Sequence, residues 1–153
     1  VSYCSTVQIQ INLDGFLKES LVMNSENTAA IPTKEELIAL LKSGKIEEFN
    51  RVRLAREIDL AGASLRGANL AWANLAWADL AGANLAWANL AWANLTGVDL
   101  HEADLYDANL RRANLTRANL SEADLREANF WGVKGLSKKQ SRLIMEELQK
   151  SWE

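Results

Sequence analysis

From Leu60 to Phe130 a large apolar residue occupies every fifth position of the chain. Fourteen of these fifteen centres are Leu, and the last is Phe130. Two residues before each centre stands Ala in thirteen pentads, with Ile58 and Val98 in the other two. The residue between is Asn nine times, Asp five times and Ser64 once. A sustained internal period outweighs local propensity in deciding architecture. An α-helix turns about 100° per residue, so five residues leave each Leu about 140° from the last and no buried stripe forms. A continuous strand fails as well, because an odd period sends successive Leu side chains to opposite faces. The pattern works when Ala, Asn/Asp and Leu form a short extended piece pointing in, out and in. The next two residues must then turn the chain so that the following Ala points inward again. The period alone leaves the number of pentads per coil open.

The runs ADLAGANLAWANLAWANL and HEADLYDANLRRANLTRANLSEADLREANF resemble the pentapeptide repeat family, whose consensus is A(N/D)LXX. The resemblance covers Ile58 to Gly132. It implies an all-β solenoid, a right-handed quadrilateral parallel β-helix with four pentads per coil, hence about four coils here. One departure is that the family often has Ser or Thr just after the centre, where this chain has Ala61, Ala71, Ala76, Ala81, Ala86 and Ala91.

The flanks predict short α-helical caps at both ends. Thr33-Lys34-Glu35-Glu36 is a capping box after Pro32, and Leu37, Leu40 and Leu41 follow at helical spacing. Gly44 stops that helix, and Ile46 to Leu54 reads as a second. Ser137-Lys138-Lys139-Gln140 is another capping box, ahead of an amphipathic helix with Leu143, Ile144 and Leu148. The expected division is therefore 1–30 an N-terminal segment, 31–56 a helical cap, 57–132 the repeat and 133–153 a C-terminal capping helix. Phe130, larger than Leu, is expected to plug the end of the lumen. Caps are needed because an open end exposes strand edges and apolar interior.

Before the first cap, Val7, Ile9, Ile11 and Leu13 alternate with polar residues as a half-buried strand does. Met23 then opens a polar stretch like an ordinary chain start, so residues 1–22 read equally as native sequence and as an upstream extension or vector remnant. Cys4 is the lone cysteine, which excludes an intrachain disulfide and points to a reducing compartment. No segment is long and apolar enough to span a membrane, and the first thirty residues lack a signal sequence. A cytoplasmic location is the default expectation.

With four pentads per coil, residues twenty apart fall in columns, and the columns divide charge. All acidic residues of the repeat lie on the walls centred on Leu60 and Leu65 and their stacked equivalents: Asp59, Asp79, Asp99, Glu102 and Glu122, then Asp104, Asp107, Asp124 and Glu127. The other two walls carry Arg111, Arg112 and Arg117, while Arg66 and Arg126 break the acidic side. Asn69, Asn89, Asn109 and Asn129 are expected to form an amide ladder, as are Asn74, Asn94 and Asn114. Asp59, Asp79 and Asp99 are expected to repel mildly.

Trp72, Trp77, Trp87 and Trp92 all stand two residues after a centre. With the neighbouring Ala residues they suggest an apolar band on the outside. Three readings compete: duplication of near-identical repeats, cover by residues 1–30, and contact with a partner. The partner could be a second copy, another protein or a membrane surface. Partner contact is preferred, since large apolar patches on soluble chains are usually covered and Trp is a common interface anchor.

Enzymatic chemistry has no foothold. His101 is the single histidine and reads as a solvated surface residue, not as a base or ligand. The glycines belong to turns, no zinc spacing exists, and convex walls offer no substrate cleft. No cofactor or metal is expected. Two functional classes remain. One is a scaffold or interaction module, in keeping with a family whose members mostly have no known activity. The other follows from acidic relatives that resemble duplex DNA and bind DNA gyrase. The repeat has nine acidic residues against five arginines, a net of four negative charges. A comparable length of duplex, about 18 Å, carries about ten, so mimicry is the alternative. Direct nucleic-acid binding is disfavoured by the formal net charge of −3.

Overall fold

A computed structural model describes residues 32–53 and 58–150. The alternating segment Val7–Leu13, Cys4, the native status of residues 1–22 and cover of the indoles by residues 1–30 lie outside the described residues.

Each pentad follows the in, out, in pattern. The Ala and Leu of every triplet from Ile58 to Ala128 are buried, and the residue between them is exposed or half-buried. Parallel bridges join middle residues twenty apart, from Asp59↔Asp79 through Asn69↔Asn89, Asn89↔Asn109 and Asn109↔Asn129. Each of these pentads is thus bridged to the pentad four further on, so residues twenty apart share a column.

The reason for Asn or Asp at the middle position appears when the amides of one pentad are followed. Ala88 N–H closes a turn onto Leu85 O at 2.9 Å. Asn89 N–H donates back to Ala68 O at 2.9 Å, and Leu90 N–H donates forward to Asn109 O at 2.8 Å. Trp92 N–H donates forward to Arg111 O at 2.9 Å. The remaining donor, Ala91 N–H, has no backbone acceptor and donates to Asn89 Oδ1 at 3.2 Å. The same local bond recurs in all fourteen pentads that carry Asn or Asp. A short side chain with an acceptor two residues back is what such a turn requires.

The amide ladder forms in part. Asn89 Nδ2 donates to Asn69 Oδ1 and Asn109 Nδ2 to Asn89 Oδ1, both at 3.1 Å. Asn94 likewise donates to Asn74 at 3.1 Å. Asn114 departs from the expectation: its amide donates to Thr96 Oγ1 at 2.9 Å. The reason is local, since the Thr96 hydroxyl already donates to Asn94 Oδ1 at 2.7 Å and presents its own oxygen to the next row. The aspartate column is relieved at both ends. Lys34 Nζ lies 2.8 Å from Asp59 Oδ1 and lowers its pKa, and Asn119 Nδ2 donates to Asp99 at 2.9 Å.

Three helices flank the repeat: α1 (Lys34–Lys42), α2 (Ile46–Val52) and α3 (Lys138–Lys150). The Thr33/Glu36 capping box is present, Ser43 caps α1, and Gly44 follows at φ +69°. Helix α2 ends two residues before Leu54. Leu37, Leu41 and Phe49 join the core formed by the repeat. These helices, and Arg53 just after α2, also bond backbone groups of the first rows. Lys34 Nζ donates to Ala61 O at 2.9 Å, and Arg53 Nη2 to Ala76 O at 2.6 Å. Asn50 serves twice, accepting from Asn74 N–H at 2.8 Å and donating to Trp72 O at 3.2 Å.

At the other end the ladder runs past the expected boundary at residue 132. Lys134 bridges to Asn114, and Leu115 N–H donates to Lys134 O at 2.9 Å. Val133 occupies the Ala place, Lys134 the outward place and Gly135 the centre, so the row continues without the consensus. Phe130 is half-buried and packs against the core. Gln140 completes the Ser137 capping box and also donates Nε2 to Ala118 O at 2.6 Å. Ile144 is the buried contact of α3, with Leu143 and Leu148 beside it.

Candidate interaction surface

The second residue after each centre sits at positive φ. The four indoles expected to mark the surface have φ of 65° (Trp72), 62° (Trp77), 59° (Trp87) and 63° (Trp92). For a residue with a Cβ this region costs on the order of 1 kcal/mol, and glycine fills the same place at Gly62, Gly67, Gly82 and Gly97. Each Trp is therefore displayed at a turn where glycine would be easier.

The indoles do not form one band. Trp72 and Trp92 stack in one column, centroids 5.0 Å apart and planes 6° apart. Trp77 belongs to the column of Gly97, whose missing Cβ leaves room for the Trp77 ring to lie over it. Trp87 lies in a third column, edge-on to Tyr106 at 5.7 Å, with the Arg66 guanidinium 3.4 Å from its centroid. The Ala residues contribute less than expected to the outside, since Ala76 and Ala86 are buried. All four indoles remain exposed, from 40% for Trp92 to 63% for Trp72.

One edge gathers more than the sequence suggested. Arg112 lies 4.6 Å from the Trp92 ring and 5.0 Å from the Trp131 ring, with Arg111 4.9 Å from Trp131. The stack thus runs Trp72, Trp92, Arg112, Trp131. Beside it a shallow cleft of about 400 Å³ is lined by Ala91, Trp92, Asn109, Arg111 and Arg112. Trp131 stands one residue after its centre, not two, and is twenty residues from Arg111. Arg117 is not part of this group and shares the column of Trp77 and Gly97.

The acidic residues occupy other edges. Glu102 and Glu122 stand in one column beside His101, with ligand atoms of all three within 4.8 Å of one another. His101 is half-exposed, and its Nδ1 lies 3.0 Å from both Ser121 O and Ser121 Oγ. Asp104 and Asp124 are bridged, and Asp124 pairs with Arg126 at 2.6 Å. That guanidinium holds the Asp124 carboxyl below the usual carboxylate range, while the carboxylate pushes the Arg126 pKa up. Asp107 and Glu127 share the next column and make no ion pair among the described residues.

The model of the family described as pentapeptide repeats matches residues 58–97 and 93–132, as eight copies in all. A solved pentapeptide repeat protein from Nostoc PCC 7120 is 40% identical, over 60% of this chain and 73% of its own, with a TM-score of 0.53. The chain belongs to the pentapeptide repeat family. A pentapeptide repeat protein of the Arabidopsis thaliana thylakoid lumen is 31% identical, covering 58% of this chain and 72% of that one, at a TM-score of 0.47. A third, from Cyanothece 51142, is 41% identical over 49% of this chain, which spans 48% of its length, at a TM-score of 0.41. No curated protein matches the chain. No helix among the described residues is long and apolar enough to cross a membrane.

Proposed function

We propose that this pentapeptide repeat chain is a non-enzymatic interaction module. In this reading its fifteen pentads wind as a right-handed quadrilateral β-helix of just under four coils, closed by the helices at either end. The rigid outside then serves protein–protein association. The observation that carries the reading is the edge where Trp72, Trp92, Arg112 and Trp131 stack in solvent, each Trp and Arg being an enriched anchor at interfaces. DNA mimicry toward gyrase is the weaker reading, because Arg66 and Arg126 interrupt the acidic side.

The test replaces Trp72 and Trp92 together with Gly, the residue already used at equivalent turns. The fold is expected to persist by circular dichroism, while proteins captured by the immobilised chain are lost. Capture identical to wild type would contradict the reading.

A further inference from the structure

We propose that the face centred on Asn69, Asn89, Asn109 and Asn129 binds a second copy of the same chain, about a two-fold axis parallel to its columns. The proposal rests on the interaction-module reading and names the partner.

The face is four bridged triplets, with an outward asparagine in the middle of each. Turns border it on both sides, and the two borders differ in chemistry. The turn preceding each triplet brings Arg66, then Trp87, then Tyr106 and Asp107, then Arg126 and Glu127 as the rows succeed one another. The turn following brings Trp72, then Trp92, then Arg111 and Arg112, then Trp131. A two-fold parallel to the columns places one border against the other at equal height. Arg66 then meets Trp72 of the second copy, Trp87 meets Trp92, and Asp107 meets Arg111 and Arg112. The first three rows are favourable pairs, cation on indole, indole on indole and carboxylate on guanidinium, and the fourth sets Arg126 and Glu127 against Trp131. Every contact is made twice, so the assembly closes as a dimer.

The unsatisfied groups support this choice. Within one chain, Asp107, Arg111 and Arg112 make no ion pair among the described residues. Arg112 is held between Trp92 and Trp131, which fixes its fork without using it. The face is acid-free in its middle column, so nothing opposes close approach of two asparagine rows. A two-fold across the columns would instead set each border on itself, and the border that holds Arg111 and Arg112 has no carboxylate to offer them. Four rows spaced about 4.8 Å make a small face, well under the standard of about 800 Å² per partner. The dimer is therefore weak and sensitive to salt.

The test is sedimentation equilibrium of the full chain over a concentration series, at low and high salt. Wild type is expected to dimerise reversibly, and more weakly as salt rises. Asp107→Arg alone, and Arg111→Asp with Arg112→Asp alone, each set like charges together and are expected to weaken dimerisation at least about tenfold. Mixing the two variants restores both charge pairs and is expected to give a heterodimer. A wild type that stays monomeric, a dimer indifferent to salt, or a mixture no tighter than its parts would overturn the proposal. A monomer that still captures other proteins in a Trp72- and Trp92-dependent way overturns the dimer and leaves the interaction-module reading standing.

Discussion

Leu90→Ala is expected to lower the free energy of unfolding by about 2–5 kcal/mol. Leu90 has no exposed surface and lies mid-stack, with Leu70 and Leu110 in the adjoining rows. Truncation removes three carbons that no neighbour can replace, because each neighbour is fixed by its own backbone ladder. Leu90 N–H is bonded to Asn109 O and Asn89 N–H to Ala68 O, so the rows cannot slide together to fill the void. Rows in such a stack are stable chiefly through their neighbours, so a weakened interface in the middle divides the stack. Equilibrium urea denaturation followed by circular dichroism measures the loss. A loss below about 1 kcal/mol would mean that the interior relaxes more freely than this ladder allows.

Gly135→Ala is expected to be nearly as damaging, at about 2–4 kcal/mol, from two sources that add. Gly135 is at φ +79°, where a Cβ costs about 1–2 kcal/mol. Its Cβ would also collide with the backbone N and Cα of Thr116, which cannot swing aside as a side chain could. Thr116 N–H is committed to Asn114 Oδ1 at 3.1 Å, and its carbonyl accepts from Gly97 N–H at 2.8 Å. Relief must come from displacing the segment that leads into α3. Amide exchange is expected to quicken in residues 138–149 before the central rows, and Tm is expected to fall. Unchanged exchange in α3 would show that the approach of Gly135 to Thr116 is not what seats the helix.

The inward half of this molecule was legible in the sequence because one side chain, Leu or Ala, answers one requirement at each place. The helices were legible for the same reason, since Thr33 with Glu36 and Ser137 with Gln140 carry a local signature. The bonds that join helices to the repeat were not. Asn50, Arg53 and Gln140 reach backbone groups 22 to 24 residues away, and no local pattern distinguishes them from other polar residues on short helices. The outer surface was legible only in part. Sorting residues by twenties placed Trp72 over Trp92 and separated acid from arginine. It did not show that Trp87 turns edge-on to Tyr106, or that Arg112 inserts between Trp92 and Trp131, because side-chain direction at a turn depends on neighbours in the next row. Gly135 at a centre position is likewise not legible, since a repeat defined by large apolar centres ends at Phe130.

Everything proposed for the surface depends on the twenty-residue stacking interval, and solution NMR measures that interval directly. Nuclear Overhauser contacts between backbone protons are predicted to link each residue n of the repeat to residues n+19 to n+21, as Leu90 to Asn109 and Asn89 to Asn109. Contacts linking n to n+15 or n+25 would contradict the account, for they would place every Trp and Arg in a different column.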